Sequence, residues 1–206
     1  VCLQEKGDLK AAMDSCREAL KIKPDYADAY YNMGNALKDN GEIEAAIDCY
    51  KKAIKFKPDY AEAFNNMGIA LKEQGKPEEA IEAYNTALAL KPDYADAYNN
   101  MGGSLQKQGK LEEAIEALKM AISLKPDDTE AYCRLGIILT EQGKLEEAVE
   151  ALNKAISIKP DYAEVHRNLS ILKKYVNDDE QIALMQNLYQ DRDITEEQRC
   201  SLSFAL

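Results

Sequence analysis

The chain is poor in the groups that covalent chemistry needs. One histidine, His166, stands in 206 residues, so no HExxH pair can form. With no second histidine, nothing points to a Ser-His-Asp set. The five cysteines, Cys2, Cys16, Cys49, Cys133 and Cys200, make no CxxC pair and no spacing suited to zinc or a disulfide framework. An odd number of scattered thiols suits a reducing, cytoplasmic setting and reads as small buried hydrophobes, with Cys133 placed nearest the groove described below. Positive charge is also scarce: 26 Lys and Arg face 37 Asp and Glu, a net charge of −11. That balance excludes the basic face that nucleic-acid phosphates or an anionic membrane surface demand. No apolar run approaches the roughly 20 residues that span a bilayer. Gly75-Lys76, Gly109-Lys110 and Gly143-Lys144 lack the upstream glycine and the following Ser or Thr of a phosphate loop. Asp178, Asp179 and Glu180 read as first-turn acids that oppose a helix dipole, and Asn168-Leu169-Ser170 as a chance sequon on a helix. The expectation is a non-catalytic chain with no cofactor and no metal.

What is abundant is repetition. Lys-Pro-Asp recurs with its prolines at Pro24, Pro58, Pro92, Pro126 and Pro160, each 34 residues after the last. Glycines keep the same step at Gly7, Gly41, Gly75, Gly109 and Gly143, and again at Gly34, Gly68, Gly102 and Gly136. Self-similarity at this period means units that bury their apolar faces only by stacking on one another.

Within one unit the pattern makes two helices. Tyr30, Met33, Gly34 and Leu37 follow the i, i+3, i+4, i+7 rule of a helix with one buried face. Gly41 stops it, because glycine accepts the left-handed conformation that ends helices; the same reading makes Gly7 a stop. A second run through Ile43, Ala46, Ile47, Tyr50, Ala53 and Ile54 ends at Lys57-Pro58-Asp59, since proline cannot continue the ladder. Pro77 falls in the first turn of its helix, where proline is tolerated. Gly34, Ala46 and Ala53, with their copies, let the two helices approach closely.

Tyr30, Met33-Gly34, Leu37, Ala46, Tyr50, Ala53 and Pro58, with their copies, resemble the tetratricopeptide repeat signature. The resemblance implies an all-α, right-handed superhelical solenoid of antiparallel helix pairs. It divides the chain into a partial repeat at 1–26, full repeats at 27–60, 61–94, 95–128 and 129–162, the first helix of a degenerate fifth at 163–176, and a helical segment at 177–206. His166 and Ser170, standing where an aromatic and a glycine belong, mark the array's decay, and His166 reads as a packed ring. In the last segment Asn177 with Glu180 and Thr195 with Gln198 read as helix caps, and its wording resembles the linker of bacterial proteins that join such repeats to a sulfotransferase. The chain reads as beginning mid-repeat, with Val1-Cys2-Leu3 the last turn of an earlier helix, and as stopping mid-face at Phe204-Ala205-Leu206. Uncovered apolar faces at such ends predict weak self-association.

Beside the packed face of each first helix runs a second stripe, spaced 4, 3 and 4. It carries Asn32 and Asn35, then Asn66, Asn100, Arg134 and Asn168, and in the repeat family it lines the concave groove. Asparagine is a mediocre helix former, while its amide donates and accepts like a peptide bond. The ladder resembles that of O-linked N-acetylglucosamine transferase repeats, which implies that these six residues hold an extended or short helical polypeptide in the groove; a habit of the repeat consensus is the other reading. The first-turn acids Asp28, Glu62, Asp96, Glu130 and Glu164 read as dipole partners, and Glu130 stands where a carboxylate-clamping repeat wants lysine. Two further readings accompany the binding module: the substrate-recruiting arm of a sulfotransferase or glycosyltransferase, and a scaffold joined through its ends. Because the stripe faces away from the helix contacts, its asparagines are expected to be dispensable for folding.

Overall fold

The computed structural model describes residues 2–172, 187–190, 195, 199 and 202–203. Ten helices fill the long described stretch: α1 (Cys2–Ile22), α2 (Ala27–Asp39), α3 (Ile43–Phe56), α4 (Ala61–Glu73), α5 (Pro77–Leu90), α6 (Ala95–Lys107), α7 (Leu111–Leu124), α8 (Thr129–Glu141), α9 (Leu145–Ile158) and α10 (Ala163–Leu172). The fold is an all-α solenoid of successive antiparallel pairs, and the chain forms two compact units, Val1–Lys110 and Leu111–Leu206.

In the first unit α2 packs on α3 and α4 on α5, while α1 meets α2, α3 meets α4 and α5 meets α6. The turn inside each pair is closed by backbone geometry. Gly41 has φ of 81°, and the Glu42 N–H reaches back to the Leu37 carbonyl at 2.8 Å, the six-to-one bond of a Schellman ending. Close approach is enforced at Gly34, where an added Cβ would lie 2.6 Å from the Tyr50 ring, and at Gly68, 2.6 Å from the Tyr84 ring. Tyr50, Tyr84, Ala46, Ala53, Ala80 and Ala87 are fully buried around these contacts.

In the second unit α8 packs on α9, α7 on α8, and α10 on both α9 and α8. Gly136 faces Leu152 as Gly34 faces Tyr50, with an added Cβ 2.6 Å from Leu152 Cγ. Asp128 stands where the other repeats carry Tyr26, Tyr60, Tyr94 and Tyr162, and it caps α8 by accepting from the Glu130 and Ala131 N–H groups at 3.1 Å. His166 is a packed ring, fully buried, its Nε2–H donating to the Pro160 carbonyl at 2.7 Å.

One reading is corrected. Gly7 does not stop a helix: α1 runs unbroken from Cys2 to Ile22. Glycine permits a left-handed turn without compelling one. At Gly41 and Gly143 the turn is held by two helices packed on either side of it, whereas the described residues ahead of Gly7 amount to less than two helical turns. The caps at Asn177 and Gln198, the Asp178-Asp179-Glu180 cluster, Cys200, Val1 and the end at Phe204-Ala205-Leu206 lie outside the described residues. No described helix is long and apolar enough to cross a membrane.

Candidate functional site

The stripe residues of the first unit lie on α2, α4 and α6, which neighbour one another in that order. Asn66 Nδ2 donates to Asn35 Oδ1 at 2.8 Å and to Tyr31 Oη at 3.1 Å. Tyr50 Oη donates to the same Asn35 oxygen at 2.8 Å. Asn65 Nδ2 donates to Asn66 Oδ1, and Asn100 Nδ2 to Asn65 Oδ1, both at 3.1 Å. The ladder is therefore tied crosswise to the packed core, one repeat to the next.

Counting donors and lone pairs separates rungs that look alike in the sequence. Both amide hydrogens of Asn66 are used, and its oxygen has one lone pair left, so toward a ligand Asn66 only accepts. The Asn35 oxygen is filled by two donors, so Asn35 only donates. Asn100 keeps one N–H and its whole oxygen. Asn32 is exposed and its side chain makes no hydrogen bond among the described residues, so its amide is open there. Tyr31 and Asn65 stand outside the stripe read from the sequence yet belong to this network, Tyr31 as an acceptor and Asn65 as both donor and acceptor. Their signal is a spacing of 35 and not 34: Tyr31 with Asn66, and Asn65 with Asn100. Asn99, the copy of Asn65, is buried, and its Oδ1 meets no partner among the described residues.

Aromatic rings and charges flank the ladder. Tyr31 packs against Tyr60 with ring centroids 4.9 Å apart. Burial first, then a hydrogen bond with Asp28, pushes the Tyr60 hydroxyl well above its ordinary range. Burial likewise pushes Tyr94 up to about 12, against a hydrogen bond from Asn65 that lowers it. Lys91 sits 4.7 Å above the Tyr94 ring and 3.3 Å from the Glu62 carboxylate. The Glu62 carboxyl is held low, first by its own backbone N–H and then, against partial burial, by Lys91. The first-turn acid of α4 thus has a partner at the end of α5, in its own repeat, besides the helix dipole.

In the second unit the arrangement is looser. Asn168 Nδ2 lies 3.9 Å from Cys133 Sγ, again 35 residues apart, leaving its oxygen and one N–H open. Arg134 is paired with Glu130 one turn earlier on α8 through two guanidinium contacts. Cys133 is 2% exposed, and burial pushes its thiol up to about 12 from 9.0. Almost no thiolate exists there near neutrality, and the thiolate is the nucleophile. Iodoacetamide at pH 8 is expected to alkylate the partly exposed Cys16 of the folded chain while leaving Cys133 intact until denaturant is added. Peptide mass spectrometry checks this, and equal labelling of the two in the folded chain would refute it.

The fold has known relatives. Residues 1–169 match the family model described as Cilia and flagella-associated protein 70 C-terminal domain. No curated protein matches the chain. Among solved structures, MamA is 31% identical, with a TM-score of 0.70 over 78% of this chain and 94% of that one. YrrB, reported as a TPR protein with an unusual peptide-binding site, is 24% identical with a TM-score of 0.67 over 85% of this chain and 91% of that one. The APC/C hetero-tetramer Cut9-Hcn1 gives 0.77 at 17% identity, covering 97% of this chain and 40% of that one. These last two likenesses bear on the fold alone. With the family match spanning most of its length, the chain belongs to the tetratricopeptide repeat family, in the group represented by the C-terminal domain of cilia and flagella-associated protein 70.

Proposed function

We propose that the chain is a non-catalytic protein-interaction module whose first helices, within each unit, bind an extended or short helical polypeptide. Asn32, Asn100 and Asn168 each offer a donor and an acceptor to the peptide backbone. Asn35 adds a donor, Asn66 an acceptor, and Arg134 exchanges its Glu130 partner for an acidic residue of the ligand, since such an i, i+4 surface pair is worth only about 0.3–0.5 kcal/mol. The observation that carries this reading is the set of open amide groups left after the ladder's internal bonds are counted.

Magnitudes bound the affinity. Each hydrogen bond contributes a net of about 0.5–1.5 kcal/mol, while association and ordering of an extended chain cost about 4–15 kcal/mol. Backbone reading alone is then no tighter than roughly tens of micromolar, and it tolerates varied ligand sequences. The test uses Asn32→Ala with Asn100→Ala. Pull-down from a lysate with parent and variant, followed by mass spectrometry and direct titration of a recovered partner, is expected to show binding about tenfold weaker, with the helical circular dichroism signal retained. A recovered partner that binds both chains equally well would sink the ladder as its site.

A further inference from the structure

A second surface stands out at the C-terminal end of α3. Its last turns read Lys51-Lys52-Ala53-Ile54-Lys55-Phe56-Lys57, and no acidic residue occurs from Cys49 to Pro58, in a chain whose net charge is −11. Helix termination does not call for these lysines. Cations near a helix C-terminus gain from its dipole, yet α5, α7 and α9 reach the same length with no basic residue in the last turn. At the matching places α5 has Asn85, Thr86 and Ala89.

The lysines are arranged around exposed aromatic surface. Tyr30 of α2 and Phe56 stack with centroids 5.8 Å apart and ring planes 18° from parallel. Phe56 remains 41% exposed. Lys52 Nζ stands 5.5 Å from the Tyr30 centroid and Lys55 Nζ 5.9 Å from that of Phe56. Neither ammonium has a carboxylate partner among the described residues, whereas Lys21, Lys38, Lys76, Lys91 and Lys119 each have one. Two uncompensated cations above a partly exposed aromatic stack form a patch that is both apolar and positive.

We propose that this patch docks an acidic peptide segment carrying an aromatic or large aliphatic side chain. The apolar side chain covers Phe56 and Tyr30, and flanking carboxylates pair with Lys52 and Lys55. Charge complementarity selects this occupant: a peptide rich in lysine is repelled locally, and an extended polyanion is repelled by the acidic remainder of the chain. None of Tyr30, Lys52, Lys55 and Phe56 takes part in the hydrogen bonds of the asparagine ladder, so binding here survives loss of the ladder.

The test is fluorescence anisotropy at low salt, with a fluorescein-labelled peptide of alternating glutamate and phenylalanine as probe. Lys52→Glu with Lys55→Glu is expected to weaken binding about tenfold. Lys110→Glu with Lys154→Glu, the same change in net charge elsewhere, is expected to stay within about twofold of the parent. Phe56→Ser should weaken this probe about fivefold while leaving an all-glutamate peptide unaffected, which separates the apolar contact from charge alone. All five substituted positions are exposed, and circular dichroism confirms that each variant folds. Equal losses in the two charge-reversed pairs, no binding by the parent, or tighter binding of a single-stranded oligonucleotide than of the probe would each overturn the proposal.

Discussion

Replacing Tyr50 with Ala is expected to lower the unfolding free energy by about 3–5 kcal/mol, the cost of deleting a large side chain from a packed core. Tyr50 is fully buried. Its ring lies against Gly34, and its hydroxyl donates to Asn35. Tyr50→Phe, which keeps the ring and removes that bond, should cost only about 1 kcal/mol. The diagnostic variant is Gly34→Ala. Alanine gains about 1 kcal/mol over glycine in helix propensity, but its Cβ would stand 2.6 Å from Tyr50 Cε1 and 2.8 Å from Cδ1. Overpacking costs about 1–3 kcal/mol, so in the parent the substitution destabilises. In the Tyr50→Ala background the clash is gone, the methyl occupies vacated space, and the same substitution should stabilise by about 1 kcal/mol. A change of sign is a strong form of non-additivity. Urea unfolding of the four chains of this cycle measures it. If Gly34→Ala costs the same in both backgrounds, contact with Tyr50 is not what requires glycine there.

The asparagines should rank in stability by their internal bonds. Asn66→Ala takes a donor from Asn35, the donor from Tyr31 and the acceptor from Asn65. Three bonds in a partly buried network amount to about 1–3 kcal/mol after alanine's helix advantage. Asn100→Ala removes a single bond, to the 3%-exposed Asn65, and should cost about 1 kcal/mol or less. Asn32→Ala should be neutral or slightly stabilising. Thermal melts of the three variants decide the matter, and an unchanged melt for Asn66→Ala would mean that the cross-repeat bonds do not hold in solution. The same ranking makes Asn66 the wrong residue for testing ligand binding, since a loss there would mix folding with recognition. Asn32 and Asn100 are the clean probes.

Against the expectation that the whole stripe is dispensable for folding stands the hydrogen-bond network at Asn66. What the expectation lacked is the neighbouring repeat, whose first helix lies close enough for one amide to reach residues 31 and 35 positions back. Arg134 shows the complementary case. Its break in the asparagine series is plain in the sequence, but its pairing with Glu130 depends on side-chain rotamers that a register does not encode.

By itself the sequence determined the all-α class, the helix pairs, the glycine turns at Gly41, Gly75, Gly109 and Gly143, and the close approach at Gly34. Each follows from local chemistry repeated every 34 residues, and repetition makes a weak local signal legible. Gly7 marks the limit of that logic: a residue that permits a turn makes one only where packed helices hold it. The tertiary structure alone decided which asparagines are open, that Tyr31 and Asn65 belong to the network, and that Phe56 with Lys52 and Lys55 forms a separate surface. The first two outcomes depend on contacts between neighbouring repeats offset by one residue from the 34-residue period, and the third on the stacking of Tyr30 against Phe56 within one helix pair.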